Sequence, residues 1–340
     1  MTANMYFLSS ILLFVLTAFE TSAKSVSISN VTTYINSELS LNNGLKMPIL
    51  GFGTGGNGVT PSVVYDMVIN AIDAGYRHID TAFVFHNEIE VGRAINDRIR
   101  QGVIKREDIF VVTKIWNTYH SRARAAEAIR QSLSNLNLDY IDLLLMNWPM
   151  GYKEGPVDEP LDKYKLIIPS PVDYVDTWKE MELSVGDGIV KSIGLSNFNS
   201  QQILRILDSA IIKPVINQIE SHPQLSQDKL INYCKSKDIH VTAYSPLGEG
   251  RLLDRTELIA IANNHGKSTA QVMIRYQIQR GVSVIPRTVM KSHMTENFNV
   301  FDFTLTSAEM KAIDKMDTNT RYYEEKVAEK HEYYPFSTPY

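Results

Sequence analysis

Eight short apolar segments, each separated from the next by a stretch with helical periodicity, constrain this chain more than any other feature. They span residues 49–53, 78–82, 109–115, 141–148, 190–196, 215–220, 240–244 and 282–286. Segments such as Ile141-Asp142-Leu143-Leu144-Leu145-Met146 are apolar on both faces, as strands are when helices cover a parallel sheet. The intervening stretches carry helix signals. Thr60 stands before Pro61 as a cap and first-turn proline, Val64, Met67, Val68, Ala71 and Ile72 share one face, and Gly75 stops the run. Eight βα units in succession predict an α/β fold, a closed (β/α)8 barrel rather than a doubly wound sheet.

The segments outside this pattern have their own signals. Leu39 to Met47 reads as a β-hairpin around Asn43-Gly44, a cap on the barrel, and Thr306-Ser307-Ala308-Glu309 is a capping box opening an extra helix. The run from Tyr6 to Phe19 is apolar for fourteen residues, too short to span a bilayer but suited to a signal peptide, with Thr21-Ser22-Ala23 offering small residues for cleavage. The organisation expected is a signal peptide over 1–23, an extension over 24–37, a barrel over 38–317 and a loop-like tail over 318–340. A secreted, extracellular monomer follows, without stable membrane association after cleavage, and Asn30-Val31-Thr32 is then a usable glycosylation sequon.

Of 340 residues, 44% are hydrophobic and 21% charged, and the net charge is −4. Nothing in that balance is built to hold a phosphate backbone, so nucleic-acid binding is not expected. The one cysteine, Cys234, sits in a helix-like apolar stretch and reads as packing. No metal-ligand spacing is present. Gly51-Phe52-Gly53-Thr54-Gly55-Gly56 matches a dinucleotide fingerprint in letters only, because Asn57 to Pro61 intervenes before the helix opens.

In a barrel the chemistry gathers where strands end at their C-termini. The polar residues there are Asp80, Lys114, Asn147, Ser196, Asn197, Gln218, Tyr244 and Ser245. Each has a bland reading alone, as a cap, an ion-pair partner or core. Together they line one mouth, and buried polar groups need partners or a task.

Over residues 38 to 316 the chain resembles the aldo-keto reductase family. The resemblance rests on Gly75-Tyr76-Arg77-His78-Ile79-Asp80-Thr81-Ala82, Met146-Asn147-Trp148-Pro149, Gly194-Leu195-Ser196-Asn197-Phe198, Asn217-Gln218-Ile219-Glu220, Tyr244-Ser245-Pro246-Leu247-Gly248 and Ile285-Pro286-Arg287-Thr288, in that order. It implies carbonyl reduction by hydride transfer from NADPH, with a tyrosine as proton donor, a lysine and an aspartate tuning it, and a histidine orienting the carbonyl. Asp80 and Lys114 match the family's pair. Phe85 stands where the family has tyrosine and Asn147 where it has histidine. Phenylalanine has no proton to give, and asparagine can donate a hydrogen bond but relay nothing. His86, beside Phe85, is a substitute acid or simply an exposed loop residue.

By the same resemblance Ser196, Asn197 and Gln218 hold the nicotinamide carboxamide, Tyr244 stacks on its ring, and Ser245 and Leu247 border the pyrophosphate, with Thr54 a further cofactor contact. Arg287, Thr288, Glu296 and Asn297 match the adenosine end, Arg287 near the 2′-phosphate and His293 in a second basic position. The segment from Gly248 to Leu253 is a shortened belt over the cofactor. Trp116, Asn147 and Trp148 match the substrate pocket, and Gly55 replaces a tryptophan, which is expected to open room for something bulky. With its expected signal peptide, the chain is similar in general to secreted insect members of the family that reduce 3-dehydroecdysteroids. Three functions remain open: a reductase of a bulky, steroid-like ketone, a reductase of acceptors needing no protein acid such as quinones, and a silent cofactor-binding or carrier protein on the same barrel.

Overall fold

The computed structural model describes residues 38–56 and 59–337. The apolar run from Tyr6 to Phe19, the cleavage site and the Asn30 sequon lie outside them. Two short strands, β1 (Glu38–Ser40) and β2 (Lys46–Pro48), precede eight more: β3 (Phe52–Gly53), β4 (His78–Asp80), β5 (Phe110–Ile115), β6 (Leu143–Met146), β7 (Ile193–Ser196), β8 (Ile216–Glu220), β9 (His240–Tyr244) and β10 (Ser283–Val284). Strands β3 to β10 pair in parallel in chain order. A parallel bridge from Leu50 to Val284, with Gly51 N–H donating to the Val284 carbonyl at 2.9 Å, joins the last strand to the first. The expected barrel is therefore closed.

Among the described residues ten α-helices surround and follow it: α1 (Pro61–Ala74), α2 (Glu88–Arg100), α3 (Arg122–Leu136), α4 (Tyr174–Gly186), α5 (Ser200–Leu207), α6 (Asp228–Ser236), α7 (Thr256–His265), α8 (Thr269–Gln279), α9 (Lys291–Phe298) and α10 (Ser307–Asp314). The buried face of α1 is Val64, Met67, Val68, Ala71 and Ile72, and Gly75 ends it in the left-handed region at φ 110°. Thr60 caps only by position, since its hydroxyl contacts Ser62 rather than a backbone N–H. The Thr306–Glu309 capping box opens α10 as its letters suggest. Cys234 is buried in α6.

The β1–β2 hairpin closes the floor. Leu41 and Met47 pack under the barrel against Phe110, Val112, Leu143, Leu145, Val215 and Ile216. Asn42 Nδ2 donates to the carbonyls of Pro214 and Asp238, both at 2.9 Å, which rivets the turn to two strand-entry loops. Only Gly44 of the turn has positive φ (85°), so the Asn-Gly pair forms a glycine bulge rather than a two-residue hairpin turn.

One close approach sets the spacing of the outer layer. A Cβ on Gly92 of α2 would lie 2.1 Å from the Leu136 carbonyl oxygen at the end of α3, while Asn96 Nδ2 donates to that carbonyl at 3.2 Å. Backbone cannot yield as a side-chain tip can. Gly92→Ala is expected to destabilise by at least about 1–3 kcal/mol, the range for overpacking, which a denaturant midpoint measures. An unchanged midpoint would show that the helices slide apart at little cost.

Candidate active site

A cavity of about 1300 Å³ opens at the C-terminal ends of the strands. Strand geometry delivers its polar lining: Asp80 ends β4, Lys114 is the penultimate residue of β5, Asn147 follows β6, Ser196 ends β7, Gln218 lies in β8 and Tyr244 ends β9. Of the eighteen site residues expected from sequence, all but Trp116 line it. Trp116 stands behind the wall, its ring edge-on to Tyr152 at 5.9 Å and its indole N–H donating to the Asp158 carbonyl at 2.9 Å. The loop carrying Asp158 covers the indole and takes its one donor, which removes Trp116 from the cavity wall.

At the centre Lys114 Nζ donates to Asp80 Oδ1 at 2.5 Å and to the Thr81 carbonyl at 2.8 Å. Gln218 Nε2 donates to Asp80 Oδ2 at 2.7 Å, and Thr54 Oγ1 donates to the Asp80 carbonyl at 3.0 Å. All five residues are buried. A buried pair recovers its desolvation cost only when extra hydrogen bonds satisfy both ions, and these do. Burial lowers the Lys114 pKa, while the Asp80 charge and its hydrogen bond oppose the shift.

A second set of bonds links the ends of β6 to β9. Asn197 Nδ2 donates to the Asn147 carbonyl at 2.9 Å, Ser196 Oγ to the Gln218 carbonyl at 3.0 Å, and the Tyr244 hydroxyl to Asn197 Oδ1 at 2.9 Å. Asn197 (φ 62°) and Ser245 (φ 48°) both sit in the left-handed region, a conformation that non-glycine residues keep where neighbours over-determine them. Burial pushes the Tyr244 phenol well up, with the Glu220 charge adding to it. The Asn147 carboxamide has no hydrogen-bond partner among the described residues, which leaves it free for a ligand oxygen.

Phe85 lies beside this centre, its ring centroid 5.4 Å from Lys114 Nζ. The room expected from Gly55 is not open, because a Cβ there would lie 2.4 Å from the Phe85 ring. The glycine is filled by its partner. His86 Nε2 meets Asp158 Oδ2 at 2.6 Å on the rim, with 64% of its side chain exposed.

The other end of the cavity holds Arg287, Thr288, His293, Glu296 and Asn297. Arg287 Nε and Asn297 Oδ1 are buried without hydrogen-bond partners, and Arg287 has no acid partner among the described residues. A Cβ on Gly56 (φ 134°) would meet the Arg287 guanidinium at 2.5 Å. The glycine run thus seats an arginine instead of opening a helix. Ser245 Oγ donates to Glu249 Oε1 at 2.8 Å, and Leu247 borders the same stretch.

Sequence reasoning missed the roles of Asn87 and Glu249, and left open whether the aromatic tail supplies pocket wall or lies on the surface. Asn87 ties the wall together, accepting from Thr81 Oγ1 at 2.7 Å and donating to the Thr54 carbonyl at 3.1 Å. Glu249 lines the cavity from between two glycines, the only signal that its loop turns there. Tyr323 is the tail residue that reaches the cavity, edge-on to Tyr244 at 5.8 Å. Its place is set by Glu220, whose two carboxylate oxygens accept from the backbone N–H groups of Tyr322 (2.7 Å) and Tyr323 (2.9 Å). The tail is packed rather than loose, with Phe336 edge-on to Trp148 at 5.7 Å.

A model of the Aldo/keto reductase family matches residues 49–318. Aldo-keto reductase family 1 member A1-A of Danio rerio is 42% identical over 322 residues, covering 89% of this chain and 99% of that protein. Aldo-keto reductase family 1 member D1 of Mus musculus is 41% identical over 317 residues, covering 89% and 98%. The solved aldose reductase of Schistosoma japonicum superposes with a TM-score of 0.86 at 41% identity, over 89% of this chain and all of that one. Likeness of that extent, on a closed barrel whose strand ends meet in one polar mouth, places the chain in the aldo/keto reductase family as an oxidoreductase of small-molecule carbonyls.

Proposed function

We propose that this chain reduces a ketone or quinone with a flat apolar body, using NADPH. The observation that carries the cofactor is the buried, partnerless pair at the far end of the cavity. An arginine without an acid partner fits an anionic phosphate, and the unpaired Asn297 oxygen fits a base amino group. Ser196, Asn197, Gln218 and Tyr244 would hold the nicotinamide end, and Ser245 and Leu247 the pyrophosphate. Bound there, the nicotinamide would supply a hydride to the carbonyl carbon. Asn147 would orient the carbonyl oxygen, donating from a carboxamide that no protein group claims. Trp148, Phe85 and Tyr323 support an apolar substrate, since Phe85 keeps 36% exposure beside the cavity.

NADPH is expected to bind more tightly than NADH, and Arg287→Ala to lose most of the difference. A charge-assisted contact to phosphate contributes roughly 1.5–3 kcal/mol, about ten- to a hundredfold in affinity. Tryptophan fluorescence titrations with both cofactors measure it, and equal affinities in the wild type would remove the case for NADPH. Following NADPH oxidation against ketone and quinone panels then fixes the substrate class. Turnover with quinones alone would mean that no protein acid operates. Turnover with neither would leave a cofactor-binding protein.

A further inference from the structure

We propose that Lys114 itself delivers the proton to the carbonyl oxygen, in the place a phenol would hold. This deepens the reductase reading above and rests on it. The starting point is an unspent bond. An ammonium has three N–H groups, and those of Lys114 have two acceptors, Asp80 Oδ1 and the Thr81 carbonyl. No third acceptor lies within hydrogen-bond distance among the described residues. Lys114 nevertheless lines the cavity, with Phe85 as the neighbouring ring. Because Phe85 lacks a hydroxyl, the oxygen nearest the ammonium on that side belongs to the substrate or to one bridging water, which is the reach a proton donor needs.

The other proton carriers at this end of the cavity are engaged, Tyr323 included, whose phenol is pushed up by burial and by the Glu249 carboxylate it faces. Tyr244 donates to Asn197 Oδ1, and burial pushes its phenol well up. His86 holds Asp158 through Nε2 and is largely in water, where its protons exchange with solvent. Asn147 and Gln218 carry no acid. Lys114 is buried, which weakens its hold on the proton. The charges of Asp80 and Glu88 oppose that shift by favouring the ammonium.

The step balances without another reagent. The hydride and its electron pair form the new C–H bond, so the carbonyl is reduced and the nicotinamide co-substrate oxidised. The O–H bond forms as one Nζ–H bond breaks. Lys114 is left as a neutral amine beside the Asp80 carboxylate and regains a proton from water before the next turnover.

Two measurements test this. In the cofactor-free protein, nitrogen-15 NMR of the lysine side chains should show one slowly exchanging ammonium that vanishes in Lys114→Arg and titrates below the exposed lysines. A neutral amine at pH 7 would overturn the proposal. In the holoenzyme, Lys114→Ala should keep NADPH binding and lose about 100-fold or more in ketone turnover, within the range of general acid catalysis. Added ethylammonium should restore part of that loss, whereas Lys114→Arg, which keeps the charge but cannot release a proton, should stay slow. Full activity in Lys114→Arg would assign a purely electrostatic role, and an equal loss in His86→Ala would move the proton to the imidazole. Either result overturns the proposal while leaving the reductase reading intact. A wild type that binds no NADPH or reduces no carbonyl defeats both.

Discussion

Asp80→Asn is expected to cost about 3–5 kcal/mol of folding stability at neutral pH, the penalty for leaving one ion of a buried pair without its partner. The side chain keeps its shape, so packing is not the cause. Lys114 loses the charge that opposes its desolvation, and Gln218 loses a charged acceptor. The sign of the pH dependence follows from the direction of the Lys114 shift. Burial already lowers its folded pKa below 10.5, and without Asp80 it falls further. Between that lowered value and 10.5 the unfolded chain binds more protons than the folded one, so the variant gains stability as pH rises through this window. Denaturant unfolding of wild type and variant at pH 7 and pH 9.5 should show a deficit that narrows. A deficit under about 1 kcal/mol, or one that widens with pH, would mean that Lys114 is not held as a buried cation.

The second large effect concerns Phe85 and Asn147 together. The Phe85→Tyr, Asn147→His double variant should reduce simple aldehydes at least about tenfold faster than wild type, because a phenol between Lys114 and the carbonyl would be a better placed acid than the ammonium alone. The Phe85 centroid is 5.4 Å from Lys114 Nζ, so a phenol oxygen turned toward the ammonium enters hydrogen-bond range. Gly55 decides whether it can turn, because the ring lies against the space a side chain there would take. The two substitutions should couple, since both new groups address one oxygen. Steady-state turnover of the two single variants and the double variant measures that coupling. A folded, NADPH-binding double variant with no gain would show that the ring is held away from Lys114.

Much of the site was legible because a barrel converts chain order into position. Asp80, Lys114, Asn147, Ser196, Gln218 and Tyr244 lie far apart in sequence and meet because parallel strands end on one face. Strand lengths were read too long, as at 282–286 against Ser283–Val284, since apolar runs continue into loops that are buried without being paired in the ladder. The places of Trp116 and Gly55, and which of the two readings of the tail holds, were not legible for a common reason. Each depends on a contact made by another loop: Asp158 over Trp116, Phe85 against Gly55, and Glu220 on Tyr322 and Tyr323. No period or motif encodes which loop arrives there.

The grip of Glu220 also changes what the tail is. Tyr322 and Tyr323 are each registered to the last residue of a barrel strand by one hydrogen bond, while His222 and Arg251 pack on the Tyr322 ring at 5.0 Å and 4.6 Å. The cavity's outer wall therefore inherits the rigidity of the sheet and not the freedom of a chain end. Farther along the tail the cavity wall has a second anchor, Phe336 on Trp148, so a change in length between Tyr323 and Phe336 would shift one side of the outline a substrate meets and leave the other in place.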